Sequence, residues 1–451
     1  MLAIVVSRAD SASVRIGEQL REVADWERTE DDSRPDADGG ARVYRTEGAK
    51  LREFDDLHLD LHRPADAFDD PDLLVFASRH SGETGPLLTA HHTGNFGPAD
   101  HGGEANRLAR ACPNAHAAVV DALATHAPEG YEVGMECTHH GPSEVGAPSM
   151  FVEIGSAAPQ WEDPAAARAV ADAILDLRDV APDRDPANGG DETRRHLVGL
   201  GGGHYTPRFE RVVRETEWAI GHIAADWGLD AIDGLTETDV IARAFDQSRA
   251  AYALADGDRP AVEEAVEAAG YRSVSETWVR ETDGVDLELV QAIENDVGTV
   301  EAGLRFGEKA TSFEGTDFAA VSLPQALLEE ARGIDREATR ANVAATAIAF
   351  VTDQGGTRAT GPVVLASEDD RTDLVEALID VLRQRYDEVA RTDGEVRVRT
   401  ESFDPEKAKT VGVPEGPKFG RLASGEMVEV DDREIPPEQV QTAEERTFSL
   451  E

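Results

Sequence analysis

The chain has 451 residues, enough for two or three domains, and its 90 Asp and Glu against 44 Lys and Arg give a formal net charge of −46. The acid is spread from end to end, which argues against a single disordered acidic tail. Two cysteines exclude a disulfide framework, and no window nears the roughly 18 apolar residues of a membrane span.

LAIVVS at the start reads as a buried strand. A Ser/Asp turn follows, then an amphipathic helix with Val14, Ile16, Leu20 and Val23 on one side. The acidic, Gly/Pro-rich stretch 31–40 reads as an exposed loop, and DLLVFAS (72–78) as another buried strand. Helices are expected over 105–112 and 115–126, with strands at YEVGMECTHH and SMFVEIGS. DPAAARAVADAILDLRD predicts a helix with Pro164 in its first turn. HLVGLGGGHY reads as a strand running into a glycine loop, and PRFERVVRETEWAIGHIAADWGLD as a helix followed by a further strand or helix. Alternating strands and helices imply an α/β layer architecture. Periodicity lapses near 304–315 and then partly resumes, which predicts a smaller α/β or α+β module before a Pro/Glu/Gly-rich, loosely packed end.

Only five lysines occur, Lys50, Lys309, Lys407, Lys409 and Lys418, so arginine carries most of the positive charge. An acid-dense, lysine-poor surface keeps a protein hydrated where salt screens self-repulsion over a few ångströms, as in the cytoplasm of a halophilic archaeon. In such salt the global charge neither supports nor excludes an RNA partner. The N-terminal apolar run is too short for a signal-peptide core and lacks a basic leader, so a soluble cytoplasmic protein is expected.

All 13 histidines lie at or before His222. If imidazole does chemistry here, the N-terminal part does it. LLTAHHTGNFGPADHGGEANRLA carries His91, His92, Asn95, Asp100, His101 and Glu104; GMECTHHGP carries Glu136, His139 and His140; VGLGGGHYTPRF carries His204; DLHLDLHRP carries His58 and His62. Single histidines such as His116 and His126 on helix faces are more often surface or core-edge residues than ligands. Adjacent residues of a strand face opposite sides, so His139 and His140 share a site only if the strand ends before them. Gly201, Gly202 and Gly203 are either a flexible connection or a loop whose amides approach an anion. Three histidine segments each sit where a strand hands over to a loop, the usual place for a site on an α/β sheet. Imidazole and carboxylate without a thiolate quartet suit a catalytic zinc with an open position, hence hydrolytic chemistry. No HExxH, GxSxG or CxxC is present, against the common metalloprotease, serine-hydrolase and zinc-ribbon readings.

GNFGPADHGG, ECTHHGP with the following PSMFVEIGS, QW, and GGGHYTPRF together resemble the archaeal and plant type of D-aminoacyl-tRNA deacylase over roughly 1–307. The resemblance implies a three-layer α/β fold, a mixed sheet flanked by helices, similar to peptidyl-tRNA hydrolase and purine nucleoside phosphorylase. It also implies two zinc ions per subunit and hydrolysis of the ester of D-aminoacyl-tRNA by zinc-activated water. The expected organisation is a catalytic domain over 1–307, an accessory module over 308–403 and a tail over 404–451. His92, His139, His140 and His204 are the expected ligands, with His140 and His204 also as proton carriers and Glu136 as base. Asn95 and the amides of 94–97 are expected to face the developing oxyanion. Gly94, Phe96, Gly97, Gly201, Gly202, Gly203 and Tyr205 are expected to meet the substrate. No DNA or membrane partner is expected, and the chain should be a monomer. A peptidyl-tRNA hydrolase-like or other zinc hydrolase, or a metal-independent nucleoside-binding enzyme, remains the alternative.

Overall fold

In the computed structural model, which describes residues 1–183, 194–232 and 237–450, LAIVVS forms the strand β1 (Leu2–Ser7) with all six side chains buried. An uninterrupted apolar run of this kind suits a strand covered on both faces. The helix α1 (Ser11–Val23) follows, capped by the Asp10 carboxylate, which accepts from the amides of Ala12 and Ser13. Its buried stripe is Ala12, Ser13, Ile16, Gly17 and Leu20. Val14 and Val23, expected in that stripe, are half-buried at its margins.

The stretch read as an exposed loop at 31–40 is one over 32–37, and it joins two strands that were not expected, β2 (Glu27–Asp31) and β3 (Asp38–Thr46), which lead antiparallel into β4 (Ala49–Phe54). ERTED is mostly exposed at the sheet edge, where charged residues protect an open strand, so no apolar pattern marks it. Next come β5 (Leu73–Arg79), β6 (Leu87–His92), α2 (Pro113–His126), β7 (Glu132–Met135) and β8 (Ser149–Gly155). These strands form one mixed eight-stranded sheet in the order β2-β3-β4-β1-β5-β8-β6-β7. The helix expected over 105–112 is absent. That segment runs extended against 93–97, with a Gly94–Leu108 bridge and Ala109 N–H donating to the Thr93 carbonyl at 3.1 Å, and helix begins only at Pro113.

After the short α3 (Ala158–Trp161), α4 (Pro164–Leu175) starts with Pro164 at its first position and Asp163 as cap. It packs with α1 and α2 over one face of the sheet. Ala3, Val5, Leu74, Phe76 and Phe151 on the other face meet Ala65, Phe68 and Val145. A second, wholly parallel sheet contains β9 (Arg195–Gly201), β10 (Trp218–Ala224), β11 (Tyr252–Asp256) and β12 (Arg272–Val274), ordered β10-β9-β11-β12. Its helices are α5 (Pro207–Glu215), α6 (Asp226–Asp230), α7 (Glu237–Ser248), α8 (Pro260–Ala268) and α9 (Glu276–Glu281).

Both sheets belong to a compact unit, Met1–Asp283; Gly284–Glu451 forms another, so the division lies upstream of residue 307. The second unit opens with α10 (Leu287–Asp296). It contains β13 (Leu304–Phe306), β14 (Ala319–Val321), α11 (Gln325–Ile334), α12 (Arg336–Thr346), β15 (Ala349–Asp353), β16 (Arg358–Leu365) and α13 (Glu368–Leu382). Its first sheet is antiparallel, ordered β13-β15-β16-β14. β17 (Glu388–Arg391), β18 (Glu395–Phe403) and a final strand make a three-stranded sheet.

The end expected to pack loosely carries α14 (Pro405–Thr410), α15 (Pro417–Ala423), the hairpin β19 (Val428–Val430) and β20 (Arg433–Ile435), and β21 (Gln441–Ser449). β21 pairs with β18 along nine residues, and Ala408, Val413, Leu422, Val428, Ile435 and Val440 bury a small core of their own. Pro, Gly and Glu in this stretch mark turns and caps between short elements, which masks the spaced apolar residues. Among the described residues no helix is long and apolar enough to cross a membrane.

Candidate active site

β6 ends in His91 and His92, and strand alternation sends them to opposite faces. His91 pairs with Phe151 of β8 and stacks on its ring at 5.1 Å. Two residues further along the same face of β8 stands Glu153, buried like His91. His80 follows β5, its N–H donating to the Ile154 carbonyl at 2.9 Å, and its ring Nδ1 lies 3.9 Å from Glu153 Oε2. Three neighbouring strand ends thus deliver two imidazoles and a carboxylate to one spot.

The remaining groups arrive through a second set of backbone bonds. β7 stops at Met135, and the chain beyond it pairs with 204–206: Glu136 bridges Tyr205, Cys137 N–H donates to the His204 carbonyl at 2.9 Å, and Thr206 N–H donates to the Met135 carbonyl at 3.2 Å. GMECTHHGP and GGGHYTPRF are therefore zipped together. Because His139 and His140 lie beyond the strand, alternation no longer separates them. Their rings sit 4.4 Å apart, His91 is 4.5 and 4.6 Å from them, and His204 is 4.5 Å from His139.

Hydrogen bonding fixes how these rings point. Nδ1 of His91 donates to the His92 carbonyl at 3.0 Å, Nδ1 of His139 to the Cys137 carbonyl at 2.8 Å, and Nδ1 of His140 to the Gly141 carbonyl at 3.1 Å. A pinned Nδ1–H leaves the Nε2 lone pair free to face the cluster. Glu136 is buried; its Oε2 accepts from His204 Nε2 at 2.6 Å, and its Oε1 lies 3.3 Å from His80 Nδ1. Tyr205 reaches the same ring, its hydroxyl 2.9 Å from His80 Nε2.

Burial raises the Glu136 carboxyl, but the His204 and His80 contacts outweigh it and hold the group well below the carboxylate range. Glu153 goes the other way, raised by burial that His91 only partly offsets. Burial lowers His91, yet the neighbouring Glu153 more than compensates and the ring is raised. Burial, then the charge of His91, pushes His139 down to about 3. The fold thus drives two carboxylates 17 positions apart in sequence in opposite directions, an arrangement suited to acid and base work.

Of the residues singled out from sequence, Glu136, His139, His140, His204 and Tyr205 come together. His92 does not; it lies on the opposite face of the sheet, 4.5 Å from the His116 ring and 5.6 Å from His222. Asn95 is buried and spends its side-chain amide on the Gly102 carbonyl at 2.9 Å and the Glu104 carbonyl at 3.3 Å. Neither do the 94–97 amides face a reacting oxygen: Gly94 donates to His140, Asn95 to Arg107 and Gly97 to Asn106. Gly94 is required for another reason, since at φ +133° a Cβ would stand 2.7 Å from the Leu108 Cα. Phe96 is a core residue, packed with Leu108, Val198 and Leu229.

Gly201 and Gly202 adopt positive φ where β9 passes Asp256, and the Gly202 amide donates to Asp226 at 3.0 Å. Two carboxylates beside this loop oppose an anion cradle; Gly203, exposed, has only the Tyr205 carbonyl near its Cβ position. The sequence reading missed His91 as the site-facing member of its pair, together with His80 and Glu153. A carboxylate inside the apolar run SMFVEIGS was the available signal for Glu153; His80 offered none.

On the far face, His116 and His222 are lowered to about 4 by burial, as is His58. Each is neutral in the fold and protonates in the unfolded chain near pH 6.5, so its contribution is complete above that value and is lost as the pH falls to about 4. At 1.36 kcal/mol per unit this is about 3 kcal/mol for each group. Denaturant titrations in molar salt are expected to show stability falling steeply between pH 6.5 and 4; a flat profile contradicts burial of the neutral rings.

The D-aminoacyl-tRNA deacylase family model matches residues 67–274, which lie within the first unit and include every group of this cluster. A D-aminoacyl-tRNA deacylase of Haloarcula marismortui is 56% identical over the whole of both chains, and one of Natronomonas pharaonis 53%, also over the whole of both. The chain belongs to the D-aminoacyl-tRNA deacylase family. A more distant member from Methanoregula boonei is 33% identical over all of this chain and 98% of its own. A crystal structure described as a conserved protein of unknown function superposes with a TM-score of 0.54 and 29% identity, covering 63% of this chain and 98% of its own. The halophilic deacylases among these relatives accord with the acid-rich, lysine-poor surface.

Proposed function

We propose that the chain hydrolyses the ester joining a D-amino acid, such as D-tyrosine, to tRNA, releasing both in free form as a proofreading and detoxifying step. Family membership supports the substrate class. The observation that carries the chemistry is the convergence of His91, His139 and His140, each with Nδ1 pinned to a carbonyl, beside the ionised Glu136.

The donor set suits a divalent cation. His91 Nε2 and Glu153 Oε1 are buried with no hydrogen-bond partner, a costly arrangement that a cation at the cluster relieves. His91, His139 and His140 form one candidate group and His80, Glu136 and His204 another. Proton transfer by Glu136 and His204 needs both groups free, so one zinc is proposed, at the first group. A third group includes Cys137, whose thiol is pushed up to about 12 by burial and by Glu136, and a protonated thiol is a poor ligand. Zinc bound here would polarise the ester carbonyl and acidify the attacking water.

The protein groups then divide the proton traffic. Glu136 accepts a proton at Oε1, the oxygen that faces His80 and not His204. His204, hydrogen-bonded to Glu136 and with its side chain 32% exposed, returns a proton to the departing ribose oxygen. Tyr205, beside it and exposed, borders the entry.

An assay in molar salt comparing D- and L-tyrosyl-tRNA, with and without a chelator, tests this. Hydrolysis of the D ester alone, lost on chelation and restored by zinc, is expected. Inertness of the zinc-loaded chain toward both esters overturns the reading; undiminished turnover after exhaustive chelation overturns its metal component.

A further inference from the structure

Asp and Glu number 90 and Lys and Arg 44 along the chain, yet one cavity of about 620 Å³ in the first unit reverses that balance. Arg63, Arg107, Arg110 and Arg243 line it, against Asp70, Asp72 and Glu144. Two of those carboxylates are engaged elsewhere: Asp72 pairs with the N-terminal ammonium, and Glu144 lies 3.8 Å from His62. Arg63 is bidentate to Asp66 at 3.0 and 3.1 Å and Arg110 pairs with Asp183 at 2.7 Å, whereas the other two guanidinium groups are less engaged. Arg243 is held by the Asn106 carbonyl and has no carboxylate partner among the described residues. Arg107 has only Glu104, at 3.6 Å and largely in solvent, and Arg110, though paired with Asp183, keeps a buried Nε without a partner. Arg107 and Arg243, neither with a carboxylate closer than 3.6 Å among the described residues, thus share this cavity.

The cavity adjoins the catalytic cluster. Gly94 N–H donates to the His140 carbonyl at 2.8 Å and Asn95 N–H to the Arg107 carbonyl at 2.8 Å. Successive Cα atoms are about 3.8 Å apart, so the backbones of Arg107 and His140 lie within roughly 10 Å of one another. Ser143, three positions after His140, belongs to the cavity wall.

We propose that this cavity grips phosphodiester groups of the single-stranded 3′ end of tRNA, immediately upstream of the esterified ribose at the histidine cluster. The identity of the RNA rests on the function proposed above. All four cations are arginine, whose planar fork engages two phosphate oxygens at once. In molar salt, screening over about 3 Å removes long-range steering and leaves direct contacts of this kind to retain a polyanion.

The test uses the full chain and the double variant Arg63→Ala/Arg107→Ala, both side chains being at least half exposed, so the fold is expected to survive. Binding of a fluorescent oligoribonucleotide ending in CCA is measured by anisotropy, with inorganic phosphate as competitor. The kcat/KM ratio for D-tyrosyl-tRNA over 3′-O-D-tyrosyl-adenosine, which has no phosphate, is measured alongside. At least a tenfold fall in oligonucleotide affinity and in that ratio is expected, with a shallower salt dependence and partial recovery in Arg63→Lys/Arg107→Lys. Affinity and ratio unchanged within twofold overturn the proposal. So does complete displacement of the oligonucleotide by inorganic phosphate at matched phosphate concentration, which marks a small-anion site. Arginine-dependent RNA binding by a wild-type chain that hydrolyses neither ester would sink the proposed function and leave the RNA site standing.

Discussion

Glu136→Gln is expected to lower the turnover of D-tyrosyl-tRNA by about 10²- to 10⁴-fold, the range spanned by loss of a positioned general base. That corresponds to about 3–5 kcal/mol of transition-state stabilisation. The amide is nearly isosteric and still accepts from His204, so the backbone pairing of 135–137 with 204–206 has no reason to change. The loss should therefore fall on kcat, with unaltered circular dichroism and an unaltered denaturation midpoint. A variant retaining more than a tenth of the wild-type kcat would remove Glu136 from the role of base.

A second pair of variants separates two adjacent residues. His91→Ala, which empties the site-facing position of β6, is expected to weaken zinc binding in equilibrium dialysis by more than the roughly 10- to 100-fold typical of losing a supporting partner. Deacylation should collapse with it. His92→Ala, on the opposite face beside His116 and His222, should retain the zinc stoichiometry and pay only in stability, about 1–3 kcal/mol for the packing lost. Equal zinc affinities in the two variants would contradict the strand alternation on which the site is built.

These adjacent histidines show where sequence reading succeeds and where it stops. GMECTHHGP and GGGHYTPRF carried enough polar groups among turn residues to be picked out, and four expected site groups, Glu136, His139, His140 and His204, meet in space. Choosing between His91 and His92 required knowing which face of β6 is covered by what, and that depends on β8 and α2, elements distant in sequence. Glycines misled for a related reason. A loop glycine that admits a ligand and one that lets two strands pass closely look alike in one dimension; Gly201 and Gly202 are of the second kind, set against Asp256. Long apolar strands such as β1, β5 and β8 were legible because burial on both faces leaves a continuous run. β2 was hidden because an edge strand in a salt-adapted surface is written in charged residues, and β3, next to it, because glycines and arginines break its apolar pattern.

The cluster is assembled from strand ends of one sheet and a segment entering the other, and its Tyr205–His80 contact spans 125 positions. Such distant pairings form late, after the intervening loop has been closed. A chain still emerging from a ribosome therefore holds these imidazoles apart. Hydrolytic competence at the proposed site is thus expected only once residues beyond 206 have emerged and docked.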